Sequence, residues 1–552
     1  MTTRPNVKQD KSIDDILITN TSVWAGNIPT PQTGWLAINN GVIREIGHSS
    51  TKPPKAKQVI NGKHKSVLPS FVDCHSHISA AALANISQNG SAWRNKEDAL
   101  NAVRQLVTKD LLSEWIVFFY IDWDTWEPPS PPTAQELELA SGGRNVLLVC
   151  ESLHRGILSE TGLSTTQVTQ RTSRQFIEIS QGIPNGIVWE ESFSLSLLAA
   201  LSAIIDNLGS ESIINVMLTE TQRHLAYGIT DAHDPSITPA LSNIMQRVNE
   251  QSPLRVSWSE VGCNGPITSA DSSKPLTSFG HGPSSAKVFT DGAHRCAMCI
   301  DPATALSMAT KMFFEALKGF SLEPLSRIFR DDTSFSKGKL YRQGALFTPS
   351  ELTQRLQTLG NTHERLKIHA LGNHAVDMAC DCIVESGLTT KVCLEHATFI
   401  EDKNLEKLAK HKIQVSLQPG FIPHYGDMML KMHMGDKYRG LAARSMLDAG
   451  IELIMSSDNP CGPLDPLYNM RCAVERALPD KRVYLEQEAV TQQEAIHAYT
   501  IAGPKGMTGK AKQGIEVGAP ADFIILSGHP FTHSTVVEST WINGEPVFQL
   551  DK

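Results

Sequence analysis

The middle of the chain alternates short apolar strands with longer helical patterns, and that alternation constrains the fold more than any other feature of its 552 residues. Strands separated by helix-length segments are the signature of βα units, which build a parallel sheet covered by helices. Eight strand candidates follow in order: "SVLPSFVDCHSH", "GITDAHD", "LRVSWSEVG", "AKVFTDG", "LKIHALG", "KVCLEHA", "IQVSLQP" and "IELIMSSD". Eight such units predict an α/β chain folded as a TIM (β/α)8 barrel, with its chemistry at the C-terminal strand ends.

Both ends of the chain have a different texture. "DDILITNTSVW", "GWLAINNGVIREIG" and "KQVINGKHK" alternate apolar and polar residues, and Asn40-Gly41 and Asn61-Gly62 suit tight hairpins. "GAPADFIILSG" and "VVESTWINGEPVF" repeat the pattern, with Asn543-Gly544 as a further hairpin signal. The first two barrel strands are separated by a long interruption with its own strands, "EWIVFFYIDW" and "RNVLLVCES", and a Pro-rich loop, "EPPSPPT". The expected division is therefore a small β-sandwich from both termini (1–65 and 505–552), a first barrel strand (66–85), an insertion domain over the barrel mouth (86–222) and the remaining barrel (223–504).

Hydrophobic residues make up 41% of the chain and charged residues 20%, with a net charge of -8, a balance that gives no footprint for nucleic acid. The opening "MTTRPNVKQDKSIDD" is polar and lacks the apolar core of a secretory signal. Runs such as "WIVFFYI" fall short of the ~20 residues that span a bilayer. These features predict a cytoplasmic protein with neither nucleic acid nor membrane as partner; a homodimer is compatible with them. The ten cysteines are scattered, and Cys296 and Cys299 read as two buried small side chains.

The strand ends carry the chemistry. In an extended chain residues two apart share a side, so His75 and His77 aim both imidazoles at one point, as two ligands of a zinc-like ion do. Lys287, His369, His396 and Asp458 occupy the ends of later strands. Each has an ordinary explanation: a solvated turn for the His pair, a strand lysine reaching solvent or pairing with Asp291, a satisfied core histidine, a turn sequence in "SSDNP". Six side chains at consistent positions favour one metal centre over six accidents.

The same segments identify a family. "PSFVDCHSH", "KVFTDG", "HALGNHA", "EH", "QP" and "SSDNP", in that order, resemble the signatures of the amidohydrolase superfamily, in the branch called amidohydrolase family 3. "GIVWEESF", "YGITDAHD" and "GIEVGAPADFIIL" extend the likeness over nearly the whole chain. The resemblance implies that His75, His77, His369, His396 and Asp458 hold one or two divalent ions, zinc by default of ligand type. It implies that Lys287 takes up carbon dioxide as a carbamate bridging two ions. The resemblance also implies a small-molecule substrate, and the expected reaction is hydrolysis of an amide, lactam or N-acyl bond by a metal-bound hydroxide, with Asp458 carrying the proton to the leaving nitrogen. His154 would donate to the developing oxyanion, and Glu190, Arg295 and Gln418 would shape the substrate pocket. Three positions depart from the pattern: Asn373 stands where the family has Asp, Ser70 replaces Gly in "PGF", and Ser456 precedes Ser457 where glycine is common. The alternatives are a mononuclear deaminase of a cyclic C=N compound and, from a different class, a non-catalytic barrel scaffold.

Overall fold

The structure is a computed structural model that describes residues 13–25, 31–108, 114–172, 174–237, 239–260, 285–293, 296–319, 333–336, 338–342, 344–435 and 437–550. At its centre eight parallel strands follow one another around a barrel: β1 (Phe71–Asp73), β2 (Ile229–Ile237), β3 (Arg255–Glu260), β4 (Ser285–Phe289), β5 (Arg365–Ala370), β6 (Val392–His396), β7 (Gln414–Leu417) and β8 (Leu453–Met455). Each overlaps one of the eight predicted segments, with Ile229–Ile237 running three residues past its segment, and each pairs with its neighbours in sequence order. The ring is joined beyond the ends of β1 and β8, where Asp458 N–H donates to His75 O at 2.8 Å and His77 N–H to Asn459 O at 2.7 Å. Every residue of β4, β5 and β6 is buried, as expected of parallel strands covered on both faces. Two of the helices start on capping boxes: Thr348 closes one on Pro349–Thr362, with Pro349 in the first turn, and Thr491 does so on Gln492–Thr500.

The strands of the two chain ends form one eight-stranded sheet. Its core packs Ile18, Leu36, Ile38 and Val67 from the first segment against Phe523 and Trp541 from the last. Asn40-Gly41 and Asn543-Gly544 turn antiparallel hairpins, all four residues at positive φ as a type I′ turn requires. Asn61-Gly62 does not, contrary to the sequence expectation. Ala56–Asn61 and then Ser66–Pro69 both run parallel to Asp14–Val23, along successive halves of it. Gly62 N–H is spent on Thr19 O at 2.7 Å, and the chain passes on through Lys63 and His64 without reversing.

The first predicted barrel strand is divided between two sheets. Ser66–Pro69 pairs antiparallel with Phe523–Leu526, and only Phe71–Asp73 enters the barrel. The switch lies at Ser70, whose N–H bonds Asp522 O while Phe71 N–H bonds Gly228 O. The terminal sheet therefore reaches four residues past the expected boundary. Ser70 also gives its side chain to the seam: its hydroxyl is bonded by Thr230 Oγ1 at 2.8 Å and Lys512 Nζ at 2.9 Å.

Between β1 and β2 a six-stranded sheet runs in the order Ile177–Ser180, Ile183–Trp189, Arg155–Leu158, Asn145–Cys150, Trp115–Ile121, Gln88–Asn89. One of its faces carries a core of its own, with Leu100, Val103, Phe118, Trp123, Leu148 and Ile187. The helix Glu190–Leu208 leaves this sheet at Trp189; at 19 residues and with few charges it matches a bilayer span by length and composition, which the sequence reading did not anticipate. In the fold it buries Phe193, Leu195, Ala200 and Leu201 within the protein.

Candidate metal centre

His75 and His77 follow β1 directly, and Asp458 follows β8, so the junction that closes the barrel also brings their side chains together. His75 Nε2 lies 3.3 Å and His77 Nε2 3.2 Å from Asp458 Oδ1. The donor atoms of these three residues are all within 4.8 Å of one another. His369 at β5 and His396 at the end of β6 adjoin them: their rings are 4.6 Å apart between centroids, and His396 is 5.0 Å from His75. Lys287, in the middle of β4, is buried beneath Phe289, its Nζ 5.1 Å from that ring.

Burial and neighbouring charges favour, at four of the donors, the forms a cation needs. Burial, followed by the Lys287 charge, pushes His75 down to about 4; burial does the same for His396, to about 3, and takes His369 well below the ordinary imidazole range. Burial opposes the charge on Asp458, but the surrounding imidazoles outweigh it and hold the carboxyl below its usual range. Neutral imidazoles beside an ionised carboxylate form a donor set suited to a divalent metal. Lys287 Nζ, His369 Nε2 and Asp458 Oδ1 are buried with no hydrogen bond among the described residues. Orphaned polar atoms of this kind cost free energy wherever no partner meets them, and a cation held by His369 and Asp458 would satisfy two of the three directly. Burial also brings the Lys287 amine down to about 8, within reach of its neutral form.

A ring of partners orients these ligands. Glu395 takes His75 Nδ1–H on Oε2 at 2.7 Å, fixing Nε2 as the free nitrogen, and its Oε1 receives Lys367 Nζ at 2.9 Å. Lys367 also donates to Cys74 O at 2.8 Å, and both ions are fully buried. Gln418 Oε1 receives His396 Nδ1–H at 2.7 Å while its Nε2 donates to Ser456 Oγ at 2.9 Å, so the side chain is occupied behind the ligand. Asp73 holds Ser457 through its backbone N–H and hydroxyl. Sequence reasoning assigned no role to Lys367, Glu395 or Asp73. The available signal was a charge placed one or two residues before a ligand in strands that are otherwise apolar, "RLKIHA" and "VCLEH".

His154 and Glu190 come from the insertion and face the same cavity. Their side chains pair at 2.8 Å, and Glu190 N–H donates to His154 O. Burial works against charge on His154, but the Glu190 carboxylate prevails and raises its pKa. The pair stands against Gly292: a Cβ there would come 1.8 Å from Glu190 Oε1, so any larger residue must move that carboxylate. Glu190, His396 and Asp458 all adopt positive φ, a left-handed backbone uncommon outside glycine that gathers where function demands it. Asp291 is a turn residue, its carboxylate taking the backbone N–H groups of Ala297, Leu371 and Gly372. Arg295 lies outside the described residues.

The sequence matches a known pattern: the amidohydrolase family model covers residues 58–548. The chain belongs to the amidohydrolase family. A curated relative, the N-substituted formamide deformylase of Arthrobacter pascens, is 22% identical over 94% of this chain and 95% of its own length. The putative amidohydrolase YtcJ of Bacillus subtilis (strain 168) is also 22% identical, over 93% and 95% respectively. The crystal structure of an uncharacterized metal-dependent hydrolase from Pyrococcus horikoshii shares the fold, with a TM-score of 0.66 at 18% identity over 94% of this chain and 98% of that one. One departure of this amidohydrolase from the family pattern has a local explanation. Asn373 Oδ1 accepts from Cys299 N–H at 3.0 Å, and its Nδ2 donates to Cys299 O and to Glu401 Oε1 at 2.8 and 2.9 Å. An aspartate could make neither donation and would face Glu401 charge to charge.

Proposed function

We propose that this amidohydrolase is a metal-dependent hydrolase of carbon–nitrogen bonds, of amide, lactam or N-acyl type and outside peptide chains, in a small molecule. The observation that carries the reading is the tight group of His75, His77 and Asp458, with the His396 and His369 rings beside it and a buried, unbonded Lys287 amine on β4. His75, His77, His369, His396 and Asp458 would hold the ion, with zinc the default for this ligand set. A divalent cation bound there supplies Lewis acidity towards a carbonyl and makes water more acidic. Lys287 would add carbon dioxide at its neutral amine, forming an N–C bond with loss of a proton, and so provide a carboxylate able to span two ions.

Asp458 takes the proton from water as it attacks the carbonyl carbon, then returns it to the leaving nitrogen. His154, whose charged form Glu190 favours, donates to the oxygen on which negative charge develops. Gln418 acts by fixing the ring of His396, and Glu190 by fixing that of His154. The deformylase among the relatives supports cleavage of a C–N bond. A mononuclear deaminase is the second reading, favoured by the tightness of the His75, His77 and Asp458 group. The complete donor set weighs against a non-catalytic scaffold.

The test is metal content per chain for wild type and Lys287→Ala purified with bicarbonate, with a panel of simple amides assayed alongside. Two equivalents falling to one or none, with loss of amide hydrolysis, supports the carbamate-bridged hydrolase. One equivalent unaffected by the substitution removes the bridge and favours the mononuclear reading, and no metal after reconstitution overturns both.

A further inference from the structure

The donor cluster forms one end of a cavity of about 1540 Å³. Ordinary ligand pockets hold roughly 300–1,000 Å³, so the smallest amides would leave most of this space to water. Beyond the cluster, three helices line it with apolar side chains. Glu190–Leu208 contributes Phe193, Leu197 and Leu201 at helical spacing, Pro302–Gly319 contributes Met308 and Met312, and Phe421–Lys431 contributes Met429. The charged side chains on the wall are taken up by one another or by a near neighbour: Arg155 meets Asp124 at 2.6 Å, Lys431 meets Asp427 at 2.7 Å, and His424 meets Glu151 at 3.2 Å. They leave little to hold a charged tail, whereas the apolar stripes gain by being covered.

We infer that the amide cleaved here carries a long apolar substituent, an alkyl chain or an arylalkyl group, which lies along the three stripes while its carbonyl reaches the donor cluster. The inference rests on the hydrolase reading above and names the substrate class of that same site. Its occupant is argued from continuity: the apolar walls open onto the reactive end and belong to the same cavity. Methionine is unbranched and adapts its shape to what it covers, so the chamber selects for length and apolarity more than for outline.

The test uses the metal-loaded full chain with two homologous series, N-acyl-4-nitroanilides from acetyl to decanoyl and N-alkylformamides from methyl to octyl. In the series whose substituent enters the chamber, kcat/KM is expected to rise roughly three- to fourfold per added methylene before levelling off. Leu197 and Met308 are only partly buried, so Leu197→Glu and Met308→Glu should fold; each should lower the ratio of long-chain to short-chain kcat/KM by about tenfold or more. Hydrolysis with no dependence on chain length in either series overturns the inference and leaves the hydrolase reading intact, as does an unchanged ratio in both variants. Binding separates the two further: decanamide and hexanamide compete for the apolar dye Nile red. Stronger displacement by decanamide with no hydrolysis of any substrate supports the apolar site and overturns the hydrolase reading, whereas failure to take up the dye overturns the site.

Discussion

The floor and the walls of the cavity are specified by different forces. On the floor, several side chains have an assigned partner: Glu395 on His75, Gln418 on His396, Glu190 on His154, Ser457 on Asp73. These bonds have direction, so each fixes a ring or carboxylate to within tenths of an ångström. On the walls, Leu197, Leu201, Met308 and Met312 have no polar atom to orient, and dispersion and burial are non-directional. A change on the floor should therefore alter what reaction proceeds, and a change on the wall should alter what is admitted.

Four substitutions can break or sharpen that contrast. The largest effect is expected from Asp458→Asn, which keeps the shape and removes the base; kcat on any accepted amide should fall about 10²–10⁴-fold, and a loss below tenfold would dismiss Asp458 as proton carrier. Gly292→Ala comes next. The new methyl would displace Glu190, and with it His154, so kcat should drop on the order of 10²-fold, with the His154 resonance in an NMR titration moving towards an unpaired imidazole. Glu395→Gln should weaken metal affinity by about 10–100-fold, read by competition with a chelator, since the His75 tautomer would no longer be imposed.

The smallest effect on activity should come from a polar network with no reactive end. At the seam between barrel and terminal sheet, Asp231 is bonded by Arg255 at 2.6 Å and Lys512 at 2.9 Å. Burial disfavours its charge, but Lys512 and Arg255 overcome this and keep its pKa well below the carboxylate norm. A depressed carboxylate contributes stability above its unfolded pKa, about 4, and loses that contribution as pH falls through the folded value. Thermal melts of wild type should thus decline steeply below about pH 4 and those of Asp231→Asn more gently. Near neutral pH the variant should be about 1–3 kcal/mol less stable with kcat unchanged. If kcat fell with it, hydrogen-bonded scaffolding alone would not distinguish the floor.

Much of the barrel was legible because its signals are local. An apolar strand followed by a polar turn announces both an element and the end where chemistry collects, so the eight strands could be read in place and the six candidate donors proposed from their ends. What was not legible depends on register across strands. Glu395 faces His369 in the β5–β6 ladder, yet its carboxylate serves His75 from the far side of the barrel, a relation no spacing encodes. The division of Ser66–Asp73 between two sheets is hidden for a similar reason: both halves are apolar and extended, and only their partners differ. Asn61-Gly62 has the chemistry of a hairpin, but a backbone bond to Thr19 claims the turn. The walls of the cavity could not be read at all, since three helices far apart in the chain compose them.

The two backbone bonds that join His75 and His77 to the residues around Asp458 have a consequence for how the molecule comes into being. The first ligands are synthesised early and the last carboxylate only after the eighth strand, so no intermediate of synthesis owns a complete donor set. On the proposed ligand set, an ion would find all of its donors only in a chain whose ring has already shut, and a truncated or misregistered barrel would offer it an incomplete site.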